Sequence, residues 1–206
     1  MPRHPAPFSD PREALIAIYA ISDSMNQLLL EYLDPRAWRA KPSASDRNNK
    51  GRTIAAIFVH LHNARLNWLK RSAPHLKRPA PLDPYRCTKR QAAAALKQSA
   101  KQCLRMLAEG LSTDPNRRVT KFVRDSWMPI WTADARMFGY MFAHEAHHRG
   151  QITLLAHQLG YRLPPAAWAG IWQWDKLWNA RVKHMEPRTH LVRHLRSTAN
   201  HKRPVK

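Results

Sequence analysis

The sequence is poor in cysteine, in glycine and in acidic side chains, and it has no long apolar run. Only two of its 206 residues are cysteine, Cys87 and Cys103, and six are glycine. Two cysteines that form no CxxC pair exclude a disulfide scaffold and favour a reducing, cytoplasmic compartment. The longest apolar run, 14–21, is far shorter than the ~20 residues that a membrane-spanning helix needs. Asp10 and Glu13 beside it also argue against a signal peptide. We therefore expect a cytoplasmic protein without a membrane segment.

The scarcity of acidic residues leaves a large positive charge. Thirty-five Lys and Arg face 14 Asp and Glu, which gives a formal net charge of +21. Most of the excess lies in two segments, 51–110 with 12 basic and 2 acidic residues and 161–206 with 10 and 2. A basic surface attracts polyanions such as nucleic acid, but net charge by itself concerns solubility and non-specific binding. Because no zinc-finger or RNA-recognition pattern accompanies the charge, we expect only weak, non-specific nucleic-acid binding.

Apolar residues recur at steps of three and four in four segments, which is the pattern of amphipathic α-helices. The predicted helices lie near 10–33, 53–71, 88–109 and 133–159. Asp10 followed by Pro11 suits a helix start, and Gly160 suits a position just past a helix end. A tryptophan-rich stretch, 161–178, predicts a short helix or cover that packs onto these helices. No segment alternates with period two, so we predict an all-α four-helix bundle with at least one crossover connection.

The two ends of the chain differ from the part between them. Residues 1–9 contain three prolines, and residues 183–206 contain four histidines and seven Lys or Arg. Neither segment has a hydrophobic stripe with which to pack. We predict a loose tail over 1–9, one bundle domain over 10–182 and a basic, mobile tail over 183–206.

Two histidines fall on the apolar stripe of the fourth predicted helix. His144 and His148 are four residues apart, so their side chains lie on one helix face and can bind one metal ion. His60 flanks the apolar face of the second helix, whereas His62 lies about 200° round that helix and points away. Three histidines from two facing helices leave a coordination position open, as catalytic sites do. We predict a metal site at His60, His144 and His148, with ligands that suit zinc, nickel, copper or iron.

Two alternatives to this site come from the same residues. Residues 144–148 match the HExxH pattern of zinc peptidases, in which Glu145 would be the general base. The metzincin extension fails at Gln151 and Leu154, and the only downstream glutamate, Glu186, lies in the predicted tail. We therefore favour the three-histidine site over a peptidase. The other alternative is that the histidines are hydrogen-bonded core residues that bind no metal.

Three stretches of the sequence resemble the DinB/YfiT superfamily of four-helix metal-binding proteins: TIAAIFVHLHNARLNWL, HEAHHRGQITLLAHQLGY and GIWQWDKLW. The resemblance covers roughly residues 10–180 in layout. It implies an up-down-down-up bundle, often a homodimer, in which one histidine of the second helix and an HxxxH pair of the last bundle helix hold a divalent metal. These positions are His60, His144 and His148 here. Some relatives are transferases or isomerases that use a low-molecular-weight thiol. The high charge and the basic tail depart from the family pattern.

Two functions are consistent with this sequence. The first is a metal-dependent enzyme, either a thiol-dependent transferase, whose metal would favour the deprotonated thiol, or a hydrolase. The second is a non-catalytic protein whose basic surface holds nucleic acid or another polyanion. We expect Glu145 and His147 to project from other faces than the ligands, and Arg149 and Gln151 to cap loops or form ion pairs. Metal occupancy should fall as the pH drops through ~6.5 if the imidazoles are unperturbed.

Overall fold

The computed structural model describes residues 10–41, 52–174 and 176. The predicted tails over 1–9 and 183–206 lie outside the described residues. The elements are α1 (Pro11–Tyr32), a 3₁₀ turn (Pro35–Trp38), α2 (Ile54–Ser72), α3 (Lys89–Gly110), β1 (Lys121–Phe122), β2 (Trp131–Thr132), α4 (Ala135–Gln158) and α5 (Pro165–Trp172). The fold is thus mostly helical, and the four long helices lie at the predicted positions.

Short polar side chains fix where these helices begin. Thr53 accepts a hydrogen bond from the Ala56 amide at the start of α2, and Asp134 accepts one from the Arg136 amide at the start of α4. Thr88 and Gln91 form a reciprocal capping box at the start of α3. These bonds satisfy amides that have no partner within the helix.

The end of α4 is fixed by a glycine, as the sequence predicts. Gly160 has a φ of 81°, a left-handed conformation that glycine adopts without steric cost. The Tyr161 amide donates to the Ala156 carbonyl at 2.9 Å, and the Gly160 amide donates to the His157 carbonyl at 3.0 Å. These two bonds are the Schellman pattern of helix termination.

A small antiparallel sheet interrupts the long connection between α3 and α4. Lys121 pairs with Thr132, and Phe122 pairs with Trp131. The expectation of a fold without strands is wrong at this point. Each strand has only two residues, which is too short for a period of two to be visible in the sequence.

The four long helices share two buried clusters. α1 and α2 each pack against both α3 and α4, and α5 packs on α1, where Gly170 lies against Leu28. One cluster joins the end of α1, the start of α2, the start of α3 and the end of α4. The other joins the start of α1, the end of α2, the end of α3 and the start of α4. No helix in the described part of the chain is both long enough and apolar enough to span a bilayer.

Candidate metal centre

The structure brings the three predicted histidines of α2 and α4 together. The Nε2 atoms of His60 and His144 are 3.2 Å apart. The His148 ring lies 4.6 Å from each of the other two rings, measured between centroids. One nitrogen of each ring lies within 4.8 Å of the others. Among the described residues, this is the one group of three or more possible ligands that could hold a metal ion.

The spacing of these nitrogens fits a metal ion. Two imidazole nitrogens at ~2.0–2.1 Å from one tetrahedral ion lie about 3.3 Å from each other. The 3.2 Å between His60 and His144 is close to that separation. The ion would bind Nε2 of His144, so the Nδ1 of that ring faces away from the site, and the spacing of the two Nε2 atoms is the observation that supports ligation.

Burial keeps the three imidazoles neutral. Desolvation, followed by the neighbouring His148, lowers the pKa of His60 to about 4. Desolvation and the positive charges that His148 and His60 would carry lower the pKa of His144 to about 4 as well. Burial also lowers the pKa of His148, although its hydrogen bond to Gln151 opposes the shift. A metal binds the neutral imidazole, so all three rings are in the competent state at neutral pH.

A glutamine one turn further along α4 orients one of these rings. The Nδ1 of His148 donates to Oε1 of Gln151 at 2.7 Å. The amide nitrogen of Gln151 in turn donates to Nε2 of His147 at 2.9 Å. Because Nδ1 of His148 bears the proton, its Nε2 carries the free lone pair with which an imidazole binds a metal, and metal-binding histidines commonly donate their other nitrogen to a partner in this way. Gln151 therefore positions a candidate ligand, and the expectation of a loop-capping role is wrong.

Behind the histidines lies a buried polar network that the sequence does not reveal. Glu145 is fully buried and accepts from the Tyr19 hydroxyl at 2.6 Å and from the Asn26 amide at 2.8 Å. The fully buried Arg65 donates to both of its carboxylate oxygens at 2.8 Å. Arg65 also pairs with Asp23 at 3.1 Å. Burial alone would raise the pKa of Glu145, but the Arg65 charge and these hydrogen bonds hold it below its usual value.

This network removes the peptidase alternative. A general base must reach a reacting water with a free carboxylate oxygen. Both oxygens of Glu145 are bound to α1 and α2 side chains instead. Glu145 does project from another face than the ligands, as expected, but that face is the centre of the bundle and not solvent.

The buried face of α4 is rotated about the helix axis relative to the apolar stripe that the sequence predicts, which included both His144 and His148. Its buried residues are Met137, Met141, Glu145, His148, Arg149, Ile152 and Ala156. His144 lies at the edge of this face and is half-buried. Arg149, expected to cap a loop or form an ion pair, is buried and donates to the Ser22 hydroxyl at 2.8 Å. The signal that could have located this face is the i, i+4 pair of Glu145 and Arg149. A prediction based on hydrophobicity places such charged residues in solvent, so it misses this pair.

His62 points away from the site, as its angular position predicts, but it is not exposed. Its Nδ1 lies 3.1 Å from the Ser99 hydroxyl, and its Nε2 lies 3.0 Å from the Ala80 carbonyl. His62 is thus a hydrogen-bonded core residue between α2 and α3, the reading that applies to most buried histidines.

Comparisons with known proteins agree with this geometry. The family model described as DinB family matches residues 13–181. That range includes all but the first two residues of α1, the whole of α2, α3, α4 and α5, and all three candidate ligands. No curated protein matches the chain, and no solved structure does.

Proposed function

This chain belongs to the DinB family, and on that premise we propose that it binds one divalent transition-metal ion through His60, His144 and His148. The observation that carries the proposal is the convergence of one nitrogen from each ring within 4.8 Å. Imidazole ligands suit zinc, nickel or iron. Three protein ligands leave a further coordination position for solvent or substrate.

The residues of this chain hold and tune the site in three ways. The three histidines bind through neutral imidazoles, which their desolvation maintains. Gln151 fixes the orientation and tautomer of His148. Glu145 ties the ligand-bearing α4 to Arg65 on α2, the helix that carries His60. A bound divalent ion would supply Lewis-acid chemistry, which lowers the pKa of a thiol or of water.

We further propose that the site is catalytic, in a transfer reaction that uses a low-molecular-weight thiol or in a hydrolysis. His60 and His144 are only partly buried, which supports access of a small molecule to the site. A purely structural metal site is closed by its protein ligands. The family resemblance supports thiol chemistry in particular, because some relatives use such a cofactor.

We infer an up-down-down-up order for the four long helices. The composition of the two core clusters supports it, since α1 and α4 begin in the cluster where α2 and α3 end. The ends of α1 and α3 support the same order: Lys89 donates to the Leu33 carbonyl at 2.6 Å, and Arg12 donates to Thr113 at 3.0 Å.

A homodimer is part of the proposal, by resemblance to the family. The exposed side chains of Trp168 and Trp172 on α5 support it, because large aromatic side chains in contact with water are typical of an interface. Sedimentation velocity of the wild-type protein tests the oligomeric state.

Elemental analysis of protein purified without a histidine tag tests the metal site. We expect about one divalent ion per chain in the wild type and a loss of most of it in His144→Ala and His148→Ala. His157→Ala is the matched control, because His157 lies on the same helix and is exposed. A His148→Ala protein that is fully loaded with metal would contradict the ligand assignment.

A further inference from the structure

Arg124 is a buried cation on the far side of Tyr140 from His144. It lies in the loop between β1 and β2 and is only 9% exposed. Its guanidinium carbon lies 4.0 Å from the centroid of the Trp131 ring and 5.0 Å from that of Tyr140. Tyr140 stacks on His144, with centroids 6.1 Å apart. One aromatic ring therefore separates Arg124 from a candidate ligand.

Main-chain contacts hold this loop over α2. The Asn67 side chain donates to the Arg124 carbonyl at 2.8 Å, and the Val123 amide donates to the Ser72 hydroxyl at 2.9 Å. Asn67 follows His60 by seven residues, so the two side chains lie on the same face of α2, two turns apart. The loop is thus anchored to the helix face that carries the candidate site.

Arg124 lacks the partners that a buried arginine normally has. Its Nε is buried and forms no hydrogen bond. Within 10–41, 52–174 and 176, no carboxylate lies at ion-pairing distance from it; the neighbouring Asp125 instead accepts from Asn67 at 3.3 Å. The other two buried arginines have such partners: Arg65 pairs with Glu145 and Asp23, and Arg149 donates to Ser22 and Asn26. An unpaired buried charge is costly, so an external anion would relieve that cost.

A second cation, Arg52, is exposed and lies just before α2, the helix that carries His60. Its positive charge is among the causes, after desolvation, that lower the pKa of His60 and of His148. Positive charge near the histidines would attract a small anion to the site.

We propose that Arg124 binds the oxyanion group, a carboxylate or a phosphate, of a small-molecule ligand that sits at the three-histidine centre. This rests on the proposed function in that the ligand's remaining atoms would lie at the metal. The guanidinium has paired N–H groups that match an oxyanion, and stacking on Trp131 and Tyr140 pre-orients it. Arg124 is thereby a specificity-determining residue that selects acidic ligands.

Calorimetric titration with simple probes tests this assignment. Acetate and inorganic phosphate are titrated into zinc-loaded and metal-free wild-type protein, with acetamide as the uncharged counterpart of acetate. We expect at least one of the two anions to bind, and Arg124→Gln to weaken that binding about tenfold. The matched control is Arg105→Gln, which removes an exposed charge on α3, a helix that carries none of the three histidines. This variant should leave the affinity unchanged. Comparing the loss that Arg124→Gln causes for each anion shows whether the guanidinium favours a carboxylate or a phosphate.

Several outcomes would overturn the proposal: Arg124→Gln binding the anions as tightly as wild type, neither anion binding, or acetamide binding as well as acetate. Arg124→Lys keeps the charge without the paired N–H groups, so we expect an intermediate loss. It replaces the glutamine variant if that variant fails to fold. The metal-free arm separates this proposal from the metal proposal. If the protein takes up no zinc, the metal site is refuted, while anion binding still tests Arg124.

Discussion

The three candidate ligands give the metal-free protein a specific pH dependence. The pKa of His60 and His144 is about 4 in the folded protein, below the 6.5 of a free imidazole. Between these two values the unfolded chain binds protons that the folded protein does not, so the free energy of unfolding falls as the pH falls. We expect thermal unfolding of metal-free protein to move to lower temperature from pH 6.5 down to about 4.

Single variants isolate this effect. His60→Ala removes one of the titrating groups, so its melting temperature should depend less steeply on pH than that of wild type. His157→Ala should retain the wild-type slope. Equal slopes for all three proteins would contradict the depressed pKa values. Unperturbed imidazoles would release a metal as the pH falls through ~6.5. Because the pKa values of these histidines are lower, we expect this protein to release its metal at a lower pH.

At the residue scale, periodicity and spacing predicted the three histidines that the structure brings together, His60, His144 and His148, because a histidine pair at i, i+4 is visible in one helix. The partners that surround them were not predictable. Glu145 and Arg65 are 80 positions apart, and only the packing of α2 against α4 brings their charges together. Hydrophobicity assigns each of them to the surface, and only their mutual pairing makes burial possible.

At the scale of the helices, Arg65 connects α2 to the other three long helices through ion pairs and a hydrogen bond. It extends from α2 to Asp23 on α1 and to Glu145 on α4, and its Nη1 also donates to the Leu96 carbonyl of α3. Arg65→Met would leave two buried carboxylates without their cation. We expect the free energy of unfolding, measured in urea, to fall by about 3–5 kcal/mol.

An exposed ion pair provides the comparison for Arg65. Arg136 pairs with Asp134 at 2.7 Å, but its side chain is 60% exposed. Arg136→Met should leave the free energy of unfolding nearly unchanged, because solvent screens such pairs. If both substitutions cost the same, the buried network would have no special role in holding the helices together.

Replacing two glycines by alanine, Gly139 within α4 and Gly160 just past its end, should change the free energy of unfolding in opposite directions. A Cβ at Gly139 would meet nothing within 4 Å, so Gly139→Ala should stabilise α4 by about 0.5–1 kcal/mol. Gly160 has a φ of 81°, so Gly160→Ala should destabilise the protein by about 1–2 kcal/mol. Urea denaturation of the two variants measures both effects. A stabilising Gly160→Ala would show that α4 ends differently from the described Schellman pattern.

The helices could be predicted from the sequence because each has a polar start and a repeating apolar face over five or more turns. The β1–β2 loop could not. Its two-residue strands carry no periodic signal, and its position depends on contacts from Asn67 and Ser72 that are distant in the sequence. Arg124 consequently gave no sign of its burial.

For the whole molecule, the net charge of +21 should produce weak binding to any nucleic acid. We expect labelled DNA duplexes of unrelated sequence to bind alike in fluorescence anisotropy. Affinity should fall steeply between about 50 and 200 mM salt, because binding would come from counterion release. Tight binding to one sequence at about 150 mM salt would instead favour the nucleic-acid function.

The two halves of the histidine cluster are far apart along the chain: His60 and His144 are separated by 84 positions. Such a long loop closes late, after local helix formation, because its closure entropy has to be offset by long-range packing. Contacts that form after the rate-limiting step slow unfolding without accelerating folding. If the contact between His60 and His144 forms after that step, a bound ion should prolong the lifetime of the native state and leave the refolding rate at that of the metal-free chain.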